Sequence, residues 1–569
     1  MNRFARWWLW PGLMVAILAA GCTTGYYRKS ADREAYRAIR DKTPQVKNMD
    51  SKFTIEQTNV ISFTGLPIAT KVEEYLGADG EQERGASILN LDEALEAAIH
   101  HSRTYQSRKE QLYLSALSLT LSRHAFTPIF SGNGQVDYTV SKNSAEMNVI
   151  NAVTGETNLV NRLVETHQES GNFTLGASWL IRDLGKITAA FTADFLRVVT
   201  GDRSVTTSSQ VGATFLRPML RDAGFKQEME ALTQAERQLL YDLRDFAQFR
   251  KDFSVQVATA YYGVLGGRDA VRNSYLNLQS SQKNAERTRA MVEEGRNTTA
   301  ELGRLEQQAL TAESAWVGAV RNYKQALDNF KLQLGLSVEA NLVLDDHELE
   351  SLQIRHPNLN VEDSIRVALA GRLDYLNVKD KLEDAGRQVK LAVNLLKPRL
   401  DVTGSVALNS KPDATGRLAL PELQRYQWDA GLLLDPGLDR KAERNDYRSA
   451  LIARDRAART VEQEEDQIKL QVRDSWRTLD QAKRNYEISD VSVKLAERRV
   501  EEQDLLAEVG RAKAQDQVDA QNDLINSKNQ RTQALVTHTI ARLQFWNNMG
   551  ILYIKDNGQW EEIQDEKNK

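Results

Sequence analysis

Between residues 90 and 550 the chain carries the same segment twice, in two ungapped registers. Asn90-Leu91-Asp92-Glu93-Ala94-Leu95 returns as Asn360-Val361-Glu362-Asp363-Ser364-Ile365. At this offset of 270, Tyr105 matches Tyr375, Lys109 matches Lys379, Pro128 matches Pro398 and Gly134 matches Gly404. Farther along the offset is 215. Tyr261 then faces Trp476, Gly295-Arg296 faces Gly510-Arg511, Ala326 faces Ala541, Phe330 faces Phe545 and Gly335 faces Gly550. The difference of 55 is an excess in the first copy between Gly134 and Tyr261. A repeat of this length sets the architecture ahead of any local reading, because both copies must share one element order.

Proline supplies the second constraint. All ten prolines lie outside two long tracts, 219–356 and 437–569. Proline removes a helix hydrogen bond and clashes with the preceding turn, so such tracts favour long helices. In the first, Leu243, Phe246, Phe253, Val257, Ala260 and Val264 follow a 4-3 spacing from Leu239, with Arg250 the one miss. In the second, Ile468, Val472, Leu479, Ala482 and Tyr486 do the same. Such a heptad seam packs helix against helix as in coiled coils. Residues 226–294 and 438–509 are expected as helices about 100 Å long at ~1.5 Å per residue. Local interruptions are expected at Gly266-Gly267.

After Pro128 and Pro398 the period changes to two. Phe130, Gly132, Gly134, Val136, Tyr138 and Val140 alternate with polar residues, and Leu400, Val402, Gly404, Val406 and Leu408 alternate with Asp401, Thr403, Ser405, Ala407 and Asn409. Weaker alternation covers Phe173–Ile181, Ile187–Phe195, Val211–Phe215 and Trp428–Leu434. Strict alternation means strands with one apolar and one polar face. A transmembrane barrel has this pattern, and a soluble sandwich alternates equally well. The polar stretch Ser141–Asn172 reads as a long surface loop.

At the N-terminus Arg3 and Arg6 precede a short, mostly apolar stretch, Trp7–Ala20, which ends in Leu18-Ala19-Ala20-Gly21-Cys22. A basic start, a short apolar run and small residues before the cut describe a secretory signal. Cys22 is the only cysteine in the chain, which excludes an internal disulfide framework. Removing residues 1–21 deletes Arg3 and Arg6 and takes the formal charge from -4 to -6. Residues 23–88 read as a surface-lying entry segment with a short charged helix around Ser30–Asp41.

With 27% charged residues and a mean hydropathy of -0.51, a polytopic helical membrane protein is excluded, since each span needs ~20 apolar residues. A pI of 6.1 leaves no footprint for nucleic acid. No catalytic constellation emerges. His100 and His101 are adjacent and point to different helix faces, and no phosphate loop, nucleophile elbow or zinc-protease motif occurs. No metal, cofactor or enzymatic activity is expected.

The signal segment resembles that of bacterial lipoproteins, in which the cysteine becomes the lipidated first residue. Ala19 stands where that family usually has leucine. Behind it, the duplicated helix–strand–helix unit resembles the TolC-like outer-membrane efflux proteins over residues 90–550. The resemblance rests on the element order, the Leu332–Gly335 and Trp546–Gly550 ends and the paired Gly-Arg turns. It rests also on the strand-to-helix transitions at Arg217-Pro218-Met219-Leu220 and Leu434-Asp435-Pro436. It implies a mainly α fold with a transmembrane β-barrel portion, in which very long coiled-coil helices form a trimeric α-barrel continuous with a shared β-barrel. The expected domains are a signal peptide (1–21), an entry segment (22–88), a first repeat (89–340), a linker (341–359), a second repeat (360–551) and a tail (552–569).

The implied function is a passive outer-membrane exit duct of a tripartite efflux or type I secretion system. Its implied partners are two further copies of the chain, a periplasmic adaptor, an inner-membrane transporter and outer-membrane lipid at Cys22. Family members usually give four strands per chain. This chain has four candidates in its first copy and two in its second, so one hairpin is an elaboration or the barrel is larger. Glycine at Gly295 and Gly510 suits helix C-caps, and the resemblance makes Gly295, Arg296, Gly510 and Arg511 adaptor-docking tips. Asp516 and Asp519 lie six and nine residues beyond Gly510, the spacings at which the family's constriction ring stands. An i,i+3 pair shares one helix face, and the first copy has Glu301 and Arg304 instead. The competing reading is a structural coiled-coil lipoprotein without a pore.

Overall fold

The fold was obtained as a computed structural model that describes residues 23–50, 52–56, 65–150, 157–200, 203–509, 511 and 513–561. α1 (Thr24–Lys42) and β1 (Ser87–Leu89) come ahead of the first copy, which then runs α2 (Leu91–His101), α3 (Arg103–His124), β2 (Ile129–Ile150), β3 (Thr157–Ile181), β4 (Gly185–Val198), β5 (Val205–Pro218), α4 (Lys226–Glu293) and α5 (Thr299–Leu334). β6 (Leu342–Leu344) follows in the linker, and the second copy runs α6 (Val361–Gly371), α7 (Leu373–Leu395), β7 (Arg399–Asn409), β8 (Tyr426–Asp435), α8 (Lys441–Glu508) and α9 (Ala514–Asn548). Both strand-to-helix transitions fall at the prolines: β5 ends on Pro218, and Pro436 follows β8.

The two sequence registers are also registers of contact. Asn90 caps α2 by accepting from the Glu93 N–H at 2.8 Å, and the Glu93 carboxylate accepts from the Asn90 N–H at 2.9 Å. This capping box satisfies two of the free donors at a helix start. Asn360 caps α6 from the matching position, accepting from the Glu362 N–H at 3.1 Å. Tyr105 and Tyr375 are both buried, and each carries the lysine one turn later over its ring, Lys109 at 5.8 Å and Lys379 at 4.2 Å. Tyr261 meets Phe330 at 6.0 Å between ring centres, and Trp476 meets Phe545 at 5.4 Å.

One compact unit comprises Met1–Ala116, Leu239–Asp380 and Ala458–Lys569. Its core uses the predicted seams. Leu243, Phe246, Phe253, Val257 and Val264 of α4 are buried, as are Ile468, Val472, Leu479 and Ala482 of α8. Ala260 and Tyr486 are half-buried. Arg250, the break in the pattern, is only 2% exposed. Its guanidinium donates to the Asn48 and Lys555 carbonyls at 2.9 and 3.0 Å, and these bonds offset the cost of burying the charge. β1 and β6 pair in parallel. Arg268, also buried, donates to the Tyr75 hydroxyl at 3.0 Å and to the Glu83 carboxylate at 3.2 Å. Glu83 in turn accepts from the Tyr323 hydroxyl at 2.8 Å. This network holds the entry segment to α4 and α5.

Gly266-Gly267 does not interrupt α4, which is helical over all 68 residues. Each glycine costs about 1 kcal/mol in a helix, and the flanking Leu265 and Arg268 are held in the core.

A buried histidine in this unit leads to a prediction. His538 of α9 has no exposed surface, and neither ring nitrogen has a protein partner among the described residues. It lies 6.0 Å from His356, which packs on Trp476. Burial first, then the nearby His356, Arg542 and Lys483, lower its pKa to about 4. Folding therefore holds the ring neutral, while the unfolded chain takes up a proton below its ordinary value of ~6.5. Stability is complete above that value and falls as pH drops towards 4. A loss of about 2 kcal/mol is expected by pH 5. Thermal unfolding at pH 7.5 and pH 5 measures it, and His538→Leu should flatten the difference. An unchanged pH response in that variant would assign the acid sensitivity to other groups.

The other unit comprises Leu117–Gln238 and Lys381–Ala457. It holds one antiparallel sheet in the order β2-β3-β4-β5-β7-β8. Residues directly paired across an antiparallel ladder share a face, so the register shows how the six alternating patterns combine. Gly132, Leu175, Phe191, Val211, Leu408 and Tyr426 form one row. Phe130, Ala177, Ala189, Ala213, Val406 and Trp428 form another. The opposite face carries rows such as Ser178, Thr188, Thr214, Ser405 and Asp429. It also holds hydrogen bonds from Asn172 to Asp194 and from Ser405 to Asp429. Among the described residues this unit holds no second sheet.

Of Ser141–Asn172, expected as a surface loop, the described residues form strand, and 151–156 lie outside the described residues. Residues 141–150 pair with 157–166 in an unbroken ladder, and Gln168–Asn172 also pair with β4. The sequence of this stretch has no apolar period. Tyr138 and His167 hydrogen-bond at 2.6 Å, and Arg197 and Glu169 approach to 3.5 Å. A ladder needs only backbone groups, so polar sequence there still forms strand.

Candidate functional site

The turn between α4 and α5 is built by its glycine. Gly295 has φ +72°, a conformation glycine adopts without the steric cost of a Cβ. Its N–H donates to the Val292 carbonyl at 3.0 Å, and the Arg296 N–H donates to Met291 at 2.8 Å. These two bonds are the 5→2 and 6→1 pair of a Schellman C-cap. Thr298 then starts α5 by accepting from the Glu301 N–H at 3.3 Å. In the second copy the Arg511 N–H donates to Leu506 at 2.8 Å, the counterpart of the Arg296–Met291 bond in the second register. Gly510 lies outside the described residues, as does Cys22. Lys513 stands where Thr298 stands in the first copy and provides no side-chain cap for α9.

The two tips lie side by side. Ala285, Leu305 and Ala514 form a small buried apolar cluster, with Val518 packed on it. Gln308 donates to Asn522 at 3.0 Å. Beside this cluster a cavity of about 330 Å³ is lined by Arg287, Arg296, Glu301, Arg511, Lys513 and Gln517, among others. Four cations thus meet one carboxylate. Arg296 approaches Glu294 at 3.4 Å with the two side chains 62% and 63% exposed, a pairing worth little in water. The arginines of both turns were legible from the repeat. Arg287 and Lys513 were not, although Lys513 carries a signal in its register match to Thr298.

Asp516 and Asp519 occupy the first two turns of α9. Asp516 is exposed, and Asp519 is half-buried and accepts from Gln515 Nε2 at 2.9 Å. At ~100° per residue they sit about 200° and 140° round the helix from Ala514, whereas Val518 sits at about 40°. Both carboxylates therefore lie on the side of α9 turned away from the contacts that Ala514 and Val518 make. Among the described residues no group of His, Cys, Asp and Glu is arranged to hold a metal, and no helix is long and apolar enough to cross a membrane.

No family model matches the sequence, and no curated protein matches it. Solved structures do match in fold. A membrane protein from Pseudomonas aeruginosa superposes with a TM-score of 0.59 at 15% identity, over 81% of this chain and 92% of its own. The Campylobacter jejuni CmeC outer membrane channel gives 0.57 at 13% identity, over 84% and 87%. The open state of the Neisseria gonorrhoeae MtrE outer membrane channel gives 0.57 at 12% identity, over 81% and 89%. With its duplicated long helices and its antiparallel sheet, this chain has the fold of the TolC-like outer-membrane channels.

Proposed function

We propose that the protein is an outer-membrane exit channel, the passive duct of a tripartite efflux or type I secretion system. The observation that carries this reading is the sheet. It has one continuous apolar face, one hydrogen-bonding polar face and two free edges. Lipid on one side and a watery lumen on the other give both faces a solvent. Six strands cannot close a barrel of at least eight, so copies of the chain must complete it, and in the TolC-like arrangement there are three. Lipidation of Cys22 anchors each copy. The basic tips at Gly295-Arg296 and Gly510-Arg511 dock a periplasmic adaptor. Asp516 and Asp519 from three copies form an acidic constriction, and an inner-membrane transporter supplies the energy.

Single-channel recording of the purified, lipidated protein in a planar bilayer tests the reading. A small cation-selective conductance is expected. Reproducible silence from folded trimers would instead support a coiled-coil lipoprotein without a pore.

A further inference from the structure

The excess that distinguishes the first copy has a place in the sheet. Pro128 matches Pro398, so β2 corresponds to β7, and the transition at Pro218 corresponds to that at Pro436, so β5 corresponds to β8. The extra pair is the β3–β4 hairpin, inserted between the two. A domain standing apart from the barrel wall would have no reason to share its register or its pattern. This hairpin shares both. β2 pairs with β3 along the whole length of β2, and β4 pairs with β5. Its Leu175 and Phe191 fall in the same apolar row as Gly132 before them and Val211, Leu408 and Tyr426 after them. Its Asn172, Asp194, Thr188 and Thr192 fall on the polar face.

The two edges are exposed in the way that a partner strand would cover. Every residue of β8 is exposed, including Trp428 at 68% and Leu432 at 74%. On β2, Phe130 and Val136 are 80% and 86% exposed. A long apolar strand edge in water is an aggregation site, and closing a barrel removes it. The occupant of each edge is a second copy of this chain, β8 of one against β2 of the next.

We infer that the inserted hairpin is part of the barrel wall, so that three copies close a barrel of eighteen strands. This rests on the trimeric channel reading above. Without the insertion, two strands from each repeat would give twelve. Barrel diameter grows roughly linearly with strand number, and barrels of 16–18 strands leave an aqueous channel. The outer mouth is therefore about 1.5-fold wider, and its cross-section about 2.2-fold larger, than twelve strands would allow. With ~4.8 Å between strands, the backbone diameter is roughly 35 Å at ordinary tilt. Size selection then belongs to the helix tips, and the mouth accepts any solute the tips release.

Two experiments test this. In the first, Phe191→Asp places a charge on the apolar row and Thr192→Asp places one on the polar face of the same strand. The recovery of assembled trimer from the outer-membrane fraction should fall at least tenfold for F191D and stay within twofold of wild type for T192D. Equal assembly of both variants would overturn the inference. In the second, electron cryomicroscopy of the wild-type trimer counts the strands, independently of any variant's folding. Eighteen are expected. A closed wall of twelve with β3–β4 outside it would overturn the inference and leave the channel reading standing. Particles with no closed barrel would overturn both.

Discussion

Replacing Asp516 and Asp519 together by alanine is expected to raise single-channel conductance severalfold and to weaken block by divalent cations. Both residues lie at the start of α9, on the side away from Ala514 and Val518. On the proposed trimeric channel reading, three copies would bring six carboxylates round one axis, and rings of carboxylates attract and retain cations in channels. Alanine removes both the charge and the bulk while keeping the helix, for which it is the best former. The cost to folding is small: the favourable interaction of Asp516 with the helix start, about 0.3–1 kcal/mol, and the exposed Gln515–Asp519 hydrogen bond. Conductance and calcium block measured beside the wild type decide the matter. A variant with unchanged conductance and selectivity would leave the pore and discard this constriction.

A second large effect is expected at Gly335, the αL residue that ends α5 with φ +82°. A Cβ added there would lie 2.0 Å from the His101 carbonyl oxygen and 2.8 Å from the Ser102 nitrogen, both backbone atoms. Backbone in the tight elbow between α2 and α3 has no rotamer by which to yield. Gly335→Ala should therefore cost about 3–5 kcal/mol, combining ~1–2 for the left-handed conformation with the cost of overpacking. The repeat contains its own comparison. Gly550, with φ +75°, packs on Gly371 and Arg372 between α6 and α7, where an added Cβ finds its nearest atoms at 3.2–3.3 Å. Gly550→Ala should be the milder of the two. Gly303→Ala, in an exposed turn of α5 with open space around it, should stabilise by about 0.5–1 kcal/mol. Thermal unfolding of the three variants checks the order, and equal midpoints for Gly335→Ala and Gly303→Ala would refute the steric account.

These glycines show how the two offsets found in the sequence meet in space. Gly335 and Gly550 are related by the offset of 215, and His101-Ser102 and Gly371-Arg372 by the offset of 270. Each copy closes the same contact between the end of its last helix and the elbow of its first two. The duplication, the proline-free helices, the asparagine caps and the C-cap at Gly295 were legible in the same way. All of them depend on neighbours within a few turns, or on a pattern repeated along one chain.

Other features needed partners distant in sequence. Arg250 looked like a flaw in a heptad seam until carbonyls at Asn48 and Lys555 reached it. Ser141–Asn172 looked like a loop because its side chains lack an apolar period, yet its backbone found a ladder. The cations at the tips come from different copies of the repeat, far apart along the chain. Each of the six strands announced an apolar face by alternation. That those faces align into one surface, inserted hairpin included, followed only from the pairing register. A one-residue slip in any pair would have sent its side chains to the opposite side. Periodicity is a property of a segment and can be read along it. Register and burial are properties of pairs of segments, and they exist only once the chain has brought those pairs together.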